Sequence, residues 1–261
     1  SAAAAEWHDR DWLNLHIRAD EDVKVTSLTN DYTILLLAGP KSRDVLSAVS
    51  RGDWSAEGFP WLSVREAFIG IAPAVVMSVS FSGELAYEIH VPNAQLYAAY
   101  RELRAAGKAH GLTRFGLRAV ESMRLEKGYL HWKSDLLTEF DPFETGLGRF
   151  VDLNKQEFVG KEALVARQNA GPNRLLVSLN LNTTEAAAHG GSSVMINDRV
   201  VGTVTSGDWG HRTQMNLAYA FVEPELATEG TTLSIDVLGK HVAATVIQPG
   251  PYDPNYSLVR S

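Results

Sequence analysis

The spacing of apolar positions changes character along this chain. Near its start Asp9, Trp12, Leu13 and His16 fall at i, i+3, i+4 and i+7, which places them on one face of a short helix. Val23 to Thr26, Thr33 to Leu37 and the paired runs Val64 to Ile71 and Ala74 to Phe81 are rich in β-branched and aromatic residues and predict strands. Along Phe81 to His90, alternation puts Glu84, Ala86, Glu88 and His90 on one strand face and Leu85, Tyr87 and Ile89 on the other. A helical period follows: Leu96, Tyr100 and Leu103 form an apolar stripe behind Asn93, a residue suited to cap a helix, with Gly111 as a stop. A second helix is expected from Leu117 to Lys127, with Gly128 in the terminal position.

Beyond the breaker cluster Gln168-Asn-Ala-Gly-Pro-Asn173 the texture is all β. Short apolar runs at Leu175 to Leu181, Ser193 to Ile196, Val200 to Ser206, Leu217 to Val222, Thr232 to Val237 and His241 to Ile247 alternate with turn signals such as Asn197-Asp198 and Gly239-Lys240. This pattern predicts a small antiparallel barrel. The expected fold class is therefore α+β: a mixed sheet with packed helices over residues 1–170, then a C-terminal antiparallel β-barrel domain over 171–261.

Composition narrows the function classes. With 261 residues and 45% hydrophobic content the chain supports one large or two modest cores, and a soluble globular protein is expected. The longest apolar stretch, Ala67 to Val79, is shorter than a membrane span and is interrupted by Gly70, Pro73 and Ser78. A net charge of -7 disfavours binding to a phosphate backbone, so no nucleic-acid partner is expected. The absence of cysteine excludes disulfides and thiolate metal ligation and is compatible with a reducing compartment, cytoplasm or mitochondrial matrix. His8 and His16 stand at i, i+8 rather than the i, i+4 of a helical zinc pair, and no metal is expected. No Gly-x-Ser-x-Gly elbow, Walker loop or Gly-x-Gly-x-x-Gly fingerprint is present.

Three blocks in register carry a stronger signal: Phe81-Ser-Gly-Glu-Leu-Ala-Tyr-Glu88, Gly116-Leu-Arg-Ala-Val-Glu-Ser-Met-Arg-Leu-Glu-Lys-Gly128 and Asp141-Pro-Phe-Glu-Thr-Gly-Leu-Gly148. Together they resemble the tetrahydrofolate-binding domain shared by the glycine-cleavage T-protein and the C-terminal halves of dimethylglycine and sarcosine dehydrogenases. The resemblance begins late in that module. It implies that the chain is the C-terminal portion of a larger polypeptide or one part of a split subunit, with FAD carried elsewhere, and that the chain alone is poorly stable.

Site residues follow from the resemblance, each beside a plainer reading. Asp9 matches an aspartate near the reactive folate nitrogens, where a carboxylate stabilises a cationic one-carbon unit or relays a proton; otherwise Asp9 caps its helix. Glu88 matches the pterin anchor, its two oxygens accepting hydrogen bonds from the pterin amino group and ring N–H; otherwise it belongs to a solvated strand face. Phe81 stands where T-proteins usually have Tyr, keeping ring packing without the hydroxyl. Trp132 matches an aromatic that stacks near folate, or is a core residue. Arg124 is placed to meet a glutamate carboxylate of the cofactor, or pairs with Glu121 or Glu126.

The implied function is the tetrahydrofolate-binding part of an FAD-linked N-methyl amino acid demethylase, which captures an iminium-derived methylene unit as 5,10-methylenetetrahydrofolate. The alternatives are an aminomethyltransferase acting with a lipoyl carrier protein, methyl transfer to folate, and a non-catalytic regulatory subunit of the same fold.

Overall fold

The computed structural model describes residues 5–261. Contacts divide the chain into two compact units, one running up to Gly116 and including Asn255–Ser261, the other covering Leu117–Pro254. Sequence texture puts the division near residue 170. The contact boundary falls earlier because helix α4 (Leu117–Lys127) packs on strands of the barrel and belongs with them.

The first unit is built on a four-stranded sheet of order β1-β4-β3-β2, from β1 (Tyr32–Ala38), β2 (Val64–Ile69), β3 (Ala72–Met77) and β4 (Ala86–Pro92). Every pairing in it is antiparallel, so within the expected fold class the sheet is antiparallel rather than mixed. Helices α2 (Ser42–Val49) and α3 (Leu96–Gly107) cover one face. Their Val45, Leu46, Ala99 and Leu103 pack with Leu37, Ile69, Val76, Tyr87, Ile89 and Val91 into a single core. The C-terminal residues return to this unit: Arg43 Nη2 donates to the Ser261 carbonyl (2.8 Å) and the Arg260 guanidinium lies over Trp61.

Several local expectations change in the tertiary setting. Val23 to Thr26 forms no strand, because a β-prone run without a neighbouring strand cannot complete its backbone hydrogen bonds; Val23 is exposed beside Asp22 and Lys24. The strand expected from Phe81 begins only at Ala86, leaving Phe81–Leu85 as a bend and Glu84 off the strand face. Asn93 does not cap α3. Its Oδ1 accepts from Thr33 Oγ1 (2.5 Å) and its Nδ2 donates to the Asn30 carbonyl (2.7 Å), tying the entry of the helix to β1. The structure adds helix α2 and helix α5 (Lys161–Ala170) to the helices that the apolar spacing predicts.

In the second unit, β5 (Leu175–Leu181), β6 (Ser193–Ile196), β7 (Arg199–Gly210), β8 (Met215–Val222), β9 (Thr232–Val237) and β10 (Lys240–Ile247) close into a barrel of order β10-β5-β8-β7-β6-β9. Its interior is Val177, Leu179, Val194, Val204, Ala220, Val222, Leu233, Ile235 and Val246 among others. The β6–β7 turn has positive φ at both Asn197 and Asp198, the conformation that matches hairpin twist and suits these side chains. Among the described residues no helix is long and apolar enough to cross a membrane.

Candidate functional site

Burial alternates along β4, so that Tyr87, Ile89 and Val91 enter the core while Glu88 and His90 point to the opposite face. That face carries no α2 or α3 residue of the core. Across the ladder Glu88 stands between Leu36 of β1 and Met77 of β3, and His90 between Ile34 and Val75. Further along the same face lie Val64, opposite Met77, and Phe68, which are 58% and 61% exposed. The result is an open, largely apolar sheet face with one carboxylate and one imidazole at its centre. Glu88 Oε2 lies 3.4 Å from His90 Nε2, with side-chain exposures of 36% and 26%. Strand alternation places both residues on one face, and the structure brings the ends of their side chains together.

Asp9 lies in the first turn of α1 (Glu6–Leu15). The cap position is Ala5 and makes no side-chain hydrogen bond, so the capping reading of Asp9 does not hold. Its Oδ1 sits 3.0 Å from His8 Nδ1, and its side chain is 29% exposed, against 75% for Asp11. The helix is tied to the following loop through Glu6, whose Oε1 accepts from Ser27 Oγ and Thr29 Oγ1, both at 2.8 Å. Those bonds, Thr29 first, hold the Glu6 carboxyl below its ordinary range. Phe81 is half-buried in the bend before β4, where Gly83 N–H donates to Ser80 Oγ.

Trp132 and Arg124 belong to the second unit. Trp132 is half-buried in a tight turn in which Asp135 and Leu136 N–H both donate to the His131 carbonyl, and Lys133 Nζ lies 5.2 Å from its ring centroid. Arg124 takes the ion-pair arrangement. Its side chain is fully buried, with Nη1 donating to Asp135 Oδ2 (2.6 Å) and to the Tyr129 carbonyl (3.2 Å), and Nε donating to Glu121 Oε2 (3.0 Å). The helical partner is Glu121 rather than Glu126, and the guanidinium is fully buried. Asp135 in turn accepts from Thr205 Oγ1 (2.5 Å) and Ser206 Oγ (2.6 Å) on β7.

Glu126, fully buried, accepts from Arg212 Nε (2.6 Å) and from the N–H groups of Arg212 (2.6 Å) and Thr213 (2.8 Å). Sequence spacing gives no sign of these pairs, because only barrel closure brings Arg212 to Glu126 and Thr205 to Asp135. Among the described residues no group of three or more His, Asp or Glu is arranged to hold a metal ion.

With this architecture in view, residues 1–155 match the family described as GCVT N-terminal domain, and residues 174–253 match the glycine cleavage T-protein C-terminal barrel domain. The chain belongs to the glycine cleavage T-protein family. This T-protein relative is 33% identical over 250 residues to mitochondrial dimethylglycine dehydrogenase of Rattus norvegicus, covering 95% of this chain and 29% of that protein. It is 29% identical over 236 residues to an aminomethyltransferase of Alkaliphilus oremlandii, covering 90% and 63% of the two chains. The crystal structure of the glycine cleavage system aminomethyltransferase T from Bartonella henselae shares its fold, with a TM-score of 0.85 at 23% identity over 97% of this chain and 67% of that one. The T-protein relative thus spans under a third of the dehydrogenase it resembles.

Proposed function

We propose that this T-protein relative binds tetrahydrofolate and takes part in one-carbon transfer to it, with Glu88 as the pterin anchor. One observation carries the reading: a half-exposed carboxylate at the centre of an apolar sheet face, flanked by Leu36 and Met77. Apolar neighbours favour a flat heteroaromatic ring, and a carboxylate among them accepts the paired N–H donors of a pterin edge. Asp9, half-buried and no helix cap, is the group assigned to stabilising the cationic one-carbon unit and relaying a proton. Stacking by Trp132 is a separate proposal, resting on its half-exposed ring.

The finer reading is the folate-binding part of an FAD-linked demethylase acting on an N-methylated amino acid of the dimethylglycine or sarcosine type, with the product 5,10-methylenetetrahydrofolate. Its support is the 33% identity to dimethylglycine dehydrogenase. Within this reading FAD supplies the oxidation, on a part of the protein other than this chain. An aminomethyltransferase is the second reading, supported by the A. oremlandii relative.

Titration with tetrahydrofolate by calorimetry tests the common part. Binding by the wild type that Glu88→Ala markedly weakens supports the anchor, and absence of binding by a folded sample overturns it. Flavin on the longer polypeptide that contains this chain, or on a partner that copurifies with it, favours the demethylase; aminomethyl transfer from a lipoyl carrier without flavin favours the transferase.

A further inference from the structure

Glu88 has three rotatable side-chain bonds, and a carboxylate that must meet two donors at once loses affinity if it turns freely. Its neighbours across the ladder, Leu36 and Met77, are apolar and cannot orient it. In the adjoining row along the same face, His90 is flanked by Ile34 and Val75, again without polar groups. A second carboxylate on that face, Glu66, stands opposite Val75 and one strand farther from His90. His90 Nε2 is shielded from solvent, forms no hydrogen bond among the described residues, and lies 3.4 Å from Glu88 Oε2. A shielded imidazole nitrogen left without a hydrogen bond is costly unless it finds a partner, and the carboxylate is within reach by a small side-chain rotation.

We propose that His90 is a positioning residue for Glu88: its Nε2–H donates to the outer lone pair of Oε2 when ligand is bound, fixing the plane of the carboxylate. Each carboxylate oxygen accepts more than one hydrogen bond, so this contact leaves the two inward lone pairs for a pterin amino group and ring N–H. The alternating pleat makes the arrangement rigid, since residues two apart on a strand share a face and lean the same way. The inference rests on the folate reading given above and adds to it a residue that touches the anchor rather than the ligand.

A double-mutant cycle read by calorimetry with tetrahydrofolate tests it on the full chain. His90→Ala weakens binding about tenfold, in keeping with the loss of one hydrogen bond to a charged group. In the Glu88→Ala background the same change has little further effect, because there is no carboxylate left to orient. His90→Gln, whose amide N–H reaches a similar position, restores most of the affinity. Thermal unfolding of each variant separates loss of orientation from loss of fold. An equal loss from His90→Ala with and without Glu88, or failure of His90→Gln to recover affinity in a variant that unfolds like the wild type, overturns the assignment. Wild-type binding that depends on Glu88 but not on His90 overturns only the positioning role. Absence of wild-type binding overturns the anchor and the positioning role together.

Discussion

Arg124 and Asp135 form an ion pair enclosed on all sides, Nη1 to Oδ2 at 2.6 Å with both side chains fully buried. Such a pair contributes little over a well-packed apolar substitute, but losing one partner strands the other charge. Arg124→Ala is expected to destabilise the second unit by ~3–5 kcal/mol, seen as a lower midpoint in denaturant. Tetrahydrofolate affinity measured on the folded fraction stays unchanged. A variant of wild-type stability with lost folate binding returns Arg124 to the ligand.

Gly128 and Gly250 meet at their backbones. A β-carbon on Gly250 would lie 2.6 Å from the Lys127 carbonyl oxygen, and one on Gly128 would lie 2.9 Å from Gly250 Cα. Both residues have positive φ, +83° and +71°. Gly250→Ala therefore combines a left-handed backbone with a clash against atoms that cannot rotate away, and a cost of about 2 kcal/mol or more is expected. Alanine at Gly111, also at positive φ but with open space around it, costs less. Equal stability of the two alanine variants would refute the packing argument.

Asp141 links stability to pH. Burial pushes its carboxyl upward more than any other single influence. Arg167, donating to Oδ2 at 2.7 Å, and the N–H groups of Glu144 and Phe143, donating to Oδ1, together outweigh that and hold it below the ordinary carboxylate range. A carboxyl lowered on folding adds stability above its unfolded value, and that stability is lost as pH falls through the folded value. Asp141→Asn should flatten the acid limb of a stability-against-pH curve below the ordinary carboxylate range, while leaving the curve parallel to wild type at neutral pH.

Ile34, Val64 and Phe68 are more than half exposed on one sheet face. Exposed apolar side chains of this kind drive association in water. The chain expressed alone is expected to self-associate with rising concentration and to bind a hydrophobic dye. Phe68→Lys should reduce both in light scattering and fluorescence; a wild type that stays monomeric at high concentration would contradict this.

Asp9→Asn separates chemistry from binding. In a preparation that forms 5,10-methylenetetrahydrofolate, the variant should lose about a hundredfold in turnover, the scale of one proton-transferring group, with tetrahydrofolate affinity nearly unchanged. Parallel losses in both quantities would make Asp9 a binding residue.

Local pattern alone determined much of this protein. Strands β5, β6 and β9 lie where alternation and turn residues put them, and helix α4 spans Leu117–Lys127 as its spacing predicts. Alternation also put Glu88 and His90 together, because the side-chain period of a strand is set by backbone geometry rather than by context. Tertiary structure decided the rest. Val23 to Thr26 has strand propensity but no neighbour to bond, and Asn93 has a capping side chain but better partners in Thr33 and Asn30. Sequence spacing offers Arg124 a partner on its own helix, Glu121 or Glu126, but only barrel closure brings up Thr205, Ser206 and Arg212, which turn both sites into buried networks. Burial and pairing depend on residues far apart in the chain, and no local period encodes which distant strand will arrive.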